Sequence, residues 1–120
     1  MRENVVKIKS FEFAIRIVNL YKVLRSERNE FVMSKQALRS GTSVGANVRE
    51  AINAQSSPDF IHKLSISQKE CDETMYWLEL LKETDFINEQ EFISLHKDAE
   101  DLLKIIRSII ITSKQKIHHS

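Results

Sequence analysis

At 120 residues, 42% of them hydrophobic and 29% charged, the chain has the length and composition of one globular domain, which excludes a disordered segment. Two Gly and one Pro supply too few turning points for a β-sandwich or barrel, so long helices become the default. Net charge is only +1, yet residues 1–50 carry ten Lys/Arg against five Asp/Glu while residues 51–120 carry eight against twelve, giving a basic half and an acidic half.

Residues 1–9 read as a short leader, with Val6 and Ile8 in a brief extended arm. Ser10 is the expected N-cap of a first helix to about residue 26, its hydroxyl accepting from an orphaned backbone N–H. Phe11, Ala14, Ile15, Val18 and Tyr21 recur there at three-four spacing, and Phe13, Ile17, Leu20 and Leu24 form a second stripe. An apolar face that wide covers more than one neighbour. Ser34 is the expected cap of a second helix over 34–55, with Met33 and Leu38 as the two ends of a hydrophobic staple. Ala37, Leu38, Gly41, Val44, Gly45, Val48 and Ile52 would face inward. Each helical Gly costs about 1 kcal/mol relative to Ala, so Gly41 and Gly45 need a reason. Close approach of a neighbouring helix supplies one. A phosphate-cradling loop does not, because neither GxGxxG nor a Walker A pattern is present.

Ser57-Pro58-Asp59 marks the start of a third helix over 57–84: Ser at the N-cap, Pro in the first position, an acid in the first turn. Phe60, Leu64, Ser67, Cys71, Thr74, Leu78 and Leu81 then step by four and three. Asn88 with Glu91 resembles a capping box for a fourth helix over 88–113, carrying Phe92, Leu95, Ala99, Leu102, Ile106 and Ile109. Residues 114–120 form a polar tail. Four amphipathic helices with short connections imply an all-α, antiparallel up-down-up-down bundle over residues 10–113, with burial at Leu64, Cys71, Leu78, Leu95, Leu102 and Ile109.

The residues point to no catalytic, cofactor or metal site. A di-iron bundle needs Glu-x-x-His twice, and no Glu here has His three residues later. Cys71 falls on the third helix's seam, where a thiol is buried and inert. One cysteine cannot form an internal disulfide, which fits a reducing cytoplasm. No run of about 18 apolar residues spans a membrane, and the opening MRENVVKIKS lacks a signal peptide's apolar region.

Arg16, Lys22, Arg25 and Arg28 on the first helix, with Lys35 and Arg39 opening the second, are candidates for neutralising the backbone phosphates of RNA or DNA. The solvated helix face is the bland alternative. The acidic stretch from Glu70 to Asp101 must then face elsewhere. Tyr76 and Trp77 are adjacent and cannot both enter one core, so one of them offers an oligomer contact.

Three blocks carry a resemblance. They are Ser34-Lys-Gln-Ala-Leu-Arg-Ser-Gly-Thr-Ser-Val-Gly-Ala-Asn-Val-Arg-Glu-Ala, then Gln55-Ser-Ser-Pro-Asp-Phe-Ile-His-Lys-Leu-Ser-Ile-Ser-Gln-Lys-Glu, then Glu73-Thr-Met-Tyr-Trp-Leu-Glu-Leu-Leu. Together they resemble the four-helix-bundle family of 23S rRNA intervening-sequence proteins, also called S23 ribosomal proteins, from about Ser10 to Ile110. The resemblance implies an antiparallel four-helix bundle in a ring-like homopentamer, with no catalytic or metal residues to carry over. Related accessory proteins of diversity-generating retroelements imply a nucleic acid and a reverse transcriptase as partner classes. The net charge of +1 departs from a strongly basic binder. The expected function is thus a non-enzymatic, cytoplasmic, oligomeric scaffold binding nucleic acid through phosphates, the alternative being a protein-interaction adaptor.

Overall fold

The computed structural model describes residues 2–119, and side chains through His118; Met1 and Ser120, at the ends of the expected leader and tail, lie outside the described residues. Four helices run α1 Arg2–Arg28, α2 Met33–Ile52, α3 Ser57–Glu83 and α4 Glu89–His119. Each packs antiparallel to the next. Gly45 lies against Ser10 and Gly41 against Ile17, Ser67 reaches Val44, Cys71 reaches Ala99, and Arg2 reaches α4 at Ser108. α1 packs against α2 and α4, while α3 lies diagonally across from it. The bundle measures 53 × 22 × 21 Å.

One apolar core runs through all four helices, and Leu64, Cys71, Leu78, Leu95, Leu102 and Ile109 are buried in it. Along α1 the inward positions are Val6, Ser10, Phe13, Ile17, Leu20 and Leu24, a four-three repeat. Along α2 they include Ser34, Ser40 and Ala51 beside Ala37, Gly41, Val44 and Val48; Leu38 and Gly45 are half-buried and Ile52 is exposed. Small hydroxyl residues let α2 and α3 approach closely while remaining satisfied. Ser67 Oγ donates to the Val44 carbonyl at 2.8 Å, and the Thr74 and Ser40 hydroxyls meet at 2.8 Å. Among the described residues no buried side-chain polar atom lacks a partner.

Several local expectations are corrected. The extended arm at Val6 and Ile8 is helix, because α1 begins at Arg2 and Val6 is driven into the core. Ser10 is therefore no N-cap; its hydroxyl donates to the Lys7 carbonyl in mid-helix. Ser34 does not cap α2 either. The Glu30 carboxylate does, accepting from the backbone N–H groups of Val32, Met33 and Ser34 at 2.6–3.1 Å. Ser56, not Ser57, caps α3 through the Asp59 N–H. α2 stops at Ile52, and α4 continues to His119 instead of ending near residue 113. The capping box at α4 forms in both directions, Asn88 Oδ1 accepting from Glu91 N–H and Glu91 Oε1 accepting from Asn88 N–H.

Asn29 and Asp85 have positive φ, 53° and 66°, just after α1 and α3. The Glu30 and Phe86 N–H groups then donate back to the Leu24 and Leu81 carbonyls at 2.9 Å. This is the left-handed helix stop that Gly usually occupies. Both glycines are thus released from turn duty and sit inside α2.

Candidate functional site

α1 is apolar on two opposite faces. Beside the core seam runs a second repeat at the same four-three spacing, Asn4, Ile8, Phe11, Ile15, Val18 and Lys22, offset from it by two positions. Two positions are about 200° on a helix, so this seam points away from the core. Ile8 is 59% exposed, Phe11 53% and Ile15 47%, with Val5 beside them at 43%. A shallow groove between α1 and α2 borders the seam, floored by Phe11, Ala14, Gly45 and Ala46. Lys7, Arg49, Glu12 and Glu50 line its rim. The Arg49 guanidinium lies 5.4 Å from the centre of the Phe11 ring, holding that ring at the surface.

The basic candidates divide into two groups. Arg16 is tied to α4, donating to Asp98 and to the Ser94 side chain and carbonyl. Arg28 forms a two-pronged pair with Glu91 at 3.0 and 2.8 Å and donates to the Phe86 carbonyl at 2.6 Å. That guanidinium holds the Glu91 carboxyl below the usual carboxylate range. Arg39 bridges Glu70 at 2.7 Å and Glu73 on α3. Glu73 is held low first by the Trp77 indole N–H and then by Arg39, the two outweighing its partial burial. These three arginines join basic helices to acidic ones inside the subunit. Lys22 and Lys35 are exposed with no ion-pair partner among the described residues, and Arg25 lies 5.3 Å from both the Tyr21 and Phe31 rings. All three stand at the end of the bundle where α1 turns into α2.

A family model for 23S rRNA-intervening sequence proteins matches residues 2–108. The chain belongs to this family. A crystal structure at 1.70 Å of a protein with unknown function from the S23 ribosomal protein family, from Bacteroides thetaiotaomicron VPI-5482, is similar at 59% identity with a TM-score of 0.91. The match covers 92% of this chain and 98% of that one. No curated protein matches the chain.

Family membership leaves the remaining groups to be judged on their own surroundings. Tyr76 points outward and is 56% exposed; Trp77 is half-buried, its indole N–H donating to Glu73, the two rings meeting edge to face at 5.0 Å. Gly41 and Gly45 both face α1: a Cβ on Gly41 would stand 2.8 Å from Ile17, and one on Gly45 3.2 Å from the Ser10 carbonyl oxygen. Cys71 is fully buried, its thiol donating to the Ala99 carbonyl, and burial pushes its pKa up to about 12. A thiol with that value supplies no thiolate nucleophile near neutrality. His96 lies between Glu79 and Glu100, 3.1 and 2.8 Å from its two ring nitrogens. Among the described residues no group of three His, Cys, Asp or Glu is placed to hold a metal ion. No described helix is long and apolar enough to cross a membrane.

Sequence reasoning took the two stripes of α1 as one wide face covering more than one neighbour, but within the subunit only Phe13, Ile17, Leu20 and Leu24 are buried, while Phe11 and Ile15 are exposed. The stripes' offset of two residues was the available signal, since it places them on opposite faces. The Glu30 cap had no such signal, because glutamate is not a favoured N-cap residue.

Proposed function

We propose that this chain is a non-catalytic, self-associating helical scaffold of the cytoplasm, a ring-like homopentamer being the assembly its family resemblance implies. The observation supporting this reading is the outward seam of α1. Fully burying a large aliphatic or aromatic side chain is worth roughly 1.5–3 kcal/mol. Val5, Ile8, Phe11 and Ile15, each 43–59% exposed, therefore leave about 1 kcal/mol apiece unrealised in the single subunit. A heptad-like seam outside the core is what a further helix packs against. Light scattering at micromolar concentration tests the reading: the expected mass is a multiple of 14.0 kDa, fivefold for a pentamer. A mass of 14.0 kDa would overturn it.

A second reading, binding of RNA or DNA by backbone phosphates, is favoured by Lys22, Arg25 and Lys35 at one end of the bundle. Arg16, Arg28 and Arg39 are spent on carboxylates, so the six original candidates reduce to these three. Exposed Lys22 and Lys35, with half-buried Arg25 beside Tyr21 and Phe31, suit a flexible polyanion and give no means of reading bases.

A further inference from the structure

Turns favour Gly, Asn, Asp and Ser, whose backbones and short polar side chains suit them. Between α1 and α2 the chain instead presents Phe31 at 47% exposure and Val32 at 72%. The backbone is fixed on both sides of the ring. Asn29 turns the chain at positive φ, and the Glu30 carboxylate accepts from the N–H groups of Val32, Met33 and Ser34. Phe31 thus stands at the surface on a stiff frame. The Arg25 guanidinium lies 5.3 Å from the ring centres of both Phe31 and Tyr21, which joins the three side chains into one patch. Lys22 follows Tyr21 and Lys35 comes one turn after Phe31, both exposed.

Charge around this patch is predominantly positive. Residues 13–26 and 31–49 contain no Asp or Glu. Of the two acids between them, Glu30 is buried in its cap and Glu27 is exposed. The other acids of this end belong to the α3–α4 turn, which Arg28 reaches at the Phe86 carbonyl. They are Glu83, Asp85 and Glu89, with Lys82 placed 3.8 and 3.3 Å from the first and last.

We propose that Phe31 is a stacking platform for a base of single-stranded RNA or DNA, with Lys22, Arg25 and Lys35 holding the neighbouring phosphates. The proposal rests on the nucleic-acid reading and names the form of polymer that this corner accepts. Aromatic rings beside cations hold single strands without sequence preference, because every base has a π-face. A duplex keeps its base faces stacked inside and meets the cations alone. An anionic bilayer suits the patch less well. The bundle end is 22 × 21 Å across, so a plane resting on Phe31 and Val32 would also meet the acids of the α3–α4 turn. A strand needs only the α1–α2 corner.

Anisotropy titrations test this with three probes: a fluorescein-labelled DNA single strand of mixed sequence, the same strand annealed into a duplex, and an equally long strand of abasic sites. Phe31→Ala should weaken binding of the intact strand about fivefold or more and leave the duplex unchanged. Phe31→Leu, which stays apolar, should lose as much, and Phe31→Trp should bind at least as tightly as wild type. The abasic strand should not distinguish wild type from Phe31→Ala. The salt dependence of Phe31→Ala should match that of wild type, since no phosphate contact is removed. If the intact strand binds and Phe31→Ala costs nothing, phosphate binding stands and the stacking role is wrong. Equal loss on strand and duplex also overturns it, because the ring then serves only to place Arg25. No binding of strand or duplex at low salt removes the nucleic-acid reading and this proposal together. Two other results would overturn it by giving the patch another partner. One is a changed mass of Phe31→Ala in light scattering, which makes the ring a contact between copies. The other is binding to phosphatidylserine vesicles that Phe31→Ala abolishes, with no strand binding.

Discussion

Glu30 closes the turn into α2 with three backbone hydrogen bonds, and its effect depends on its charge. Burial alone would push its carboxyl up, but the N–H groups of Met33, Ser34 and Val32 outweigh that and hold it below its ordinary value of 4.5. A carboxyl whose pKa falls on folding stabilises the native state above its unfolded value, and the stabilisation drains away as pH falls through the folded value. Losing an N-cap typically costs about 0.5–2 kcal/mol. Glu30→Ala should therefore lower stability by about 1–2 kcal/mol at neutral pH, read from urea midpoints. The gap between variant and wild type should shrink below about pH 4.5. A gap constant from pH 7 to 3 would show that the charge is not what caps the helix. Short-range patterns did reveal the other polar caps: Asn88 with Glu91 as a reciprocal box, and a serine beside Pro58, read one position late at Ser57 instead of Ser56. Glu30 stayed hidden because its long side chain folds back only once Asn29 has turned the chain.

At the scale of the helices, apolar spacing carried most of what was legible: four elements, their order, and the core positions of α3 and α4. Their ends were less legible because tertiary contacts set them. Arg2 donates to Ser108 and Thr112 of α4, and Val6 enters the core, so helix forms well before the serine where local chemistry places a start. Between α1 and α2 the two glycines play unequal parts. A Cβ on Gly41 would meet Ile17 at 2.8 and 2.9 Å, and Ile17 is a stiff β-branched side chain with no exposure at all. On Gly45 the nearest atom is the Ser10 carbonyl oxygen at 3.2 Å, which a shift of a few tenths of an ångström relieves. Ala in place of Gly gains about 1 kcal/mol of helix propensity at either site. Overpacking costs roughly 1–3 kcal/mol. Gly41→Ala should thus be net destabilising, and Gly45→Ala close to neutral. Denaturation midpoints in the reverse order would refute this account of the contact.

Charge decides the behaviour of the whole molecule, and its layout could be only half read from the chain. The basic and acidic halves were visible as counts, but the pairing of Arg16, Arg28 and Arg39 with carboxylates of α3 and α4 inside the subunit depends on the fold. Of the six candidate cations, those left for a polyanion are Lys22, Arg25 and Lys35, gathered at one end. Three phosphate contacts to a single strand imply a slope of about −2 in log affinity against log salt for each subunit engaged. One subunit with so few contacts binds weakly. In an assembly the same three cations recur on every copy, and contacts within one strand become intramolecular after the first, raising avidity without any new chemistry. Mixed-sequence single-stranded RNA and DNA should therefore bind alike, since phosphate contacts carry no sequence information. Anisotropy titrations at two salt concentrations, on Lys22→Glu/Lys35→Glu and on Arg39→Gln, separate this from general basicity. The first variant should lose most of the binding. Arg39→Gln should bind as wild type does, because that guanidinium is already held by Glu70 and Glu73. Equal loss in both variants would mean the six basic residues act as one diffuse field, and no binding at low salt would leave protein contact as the scaffold's function.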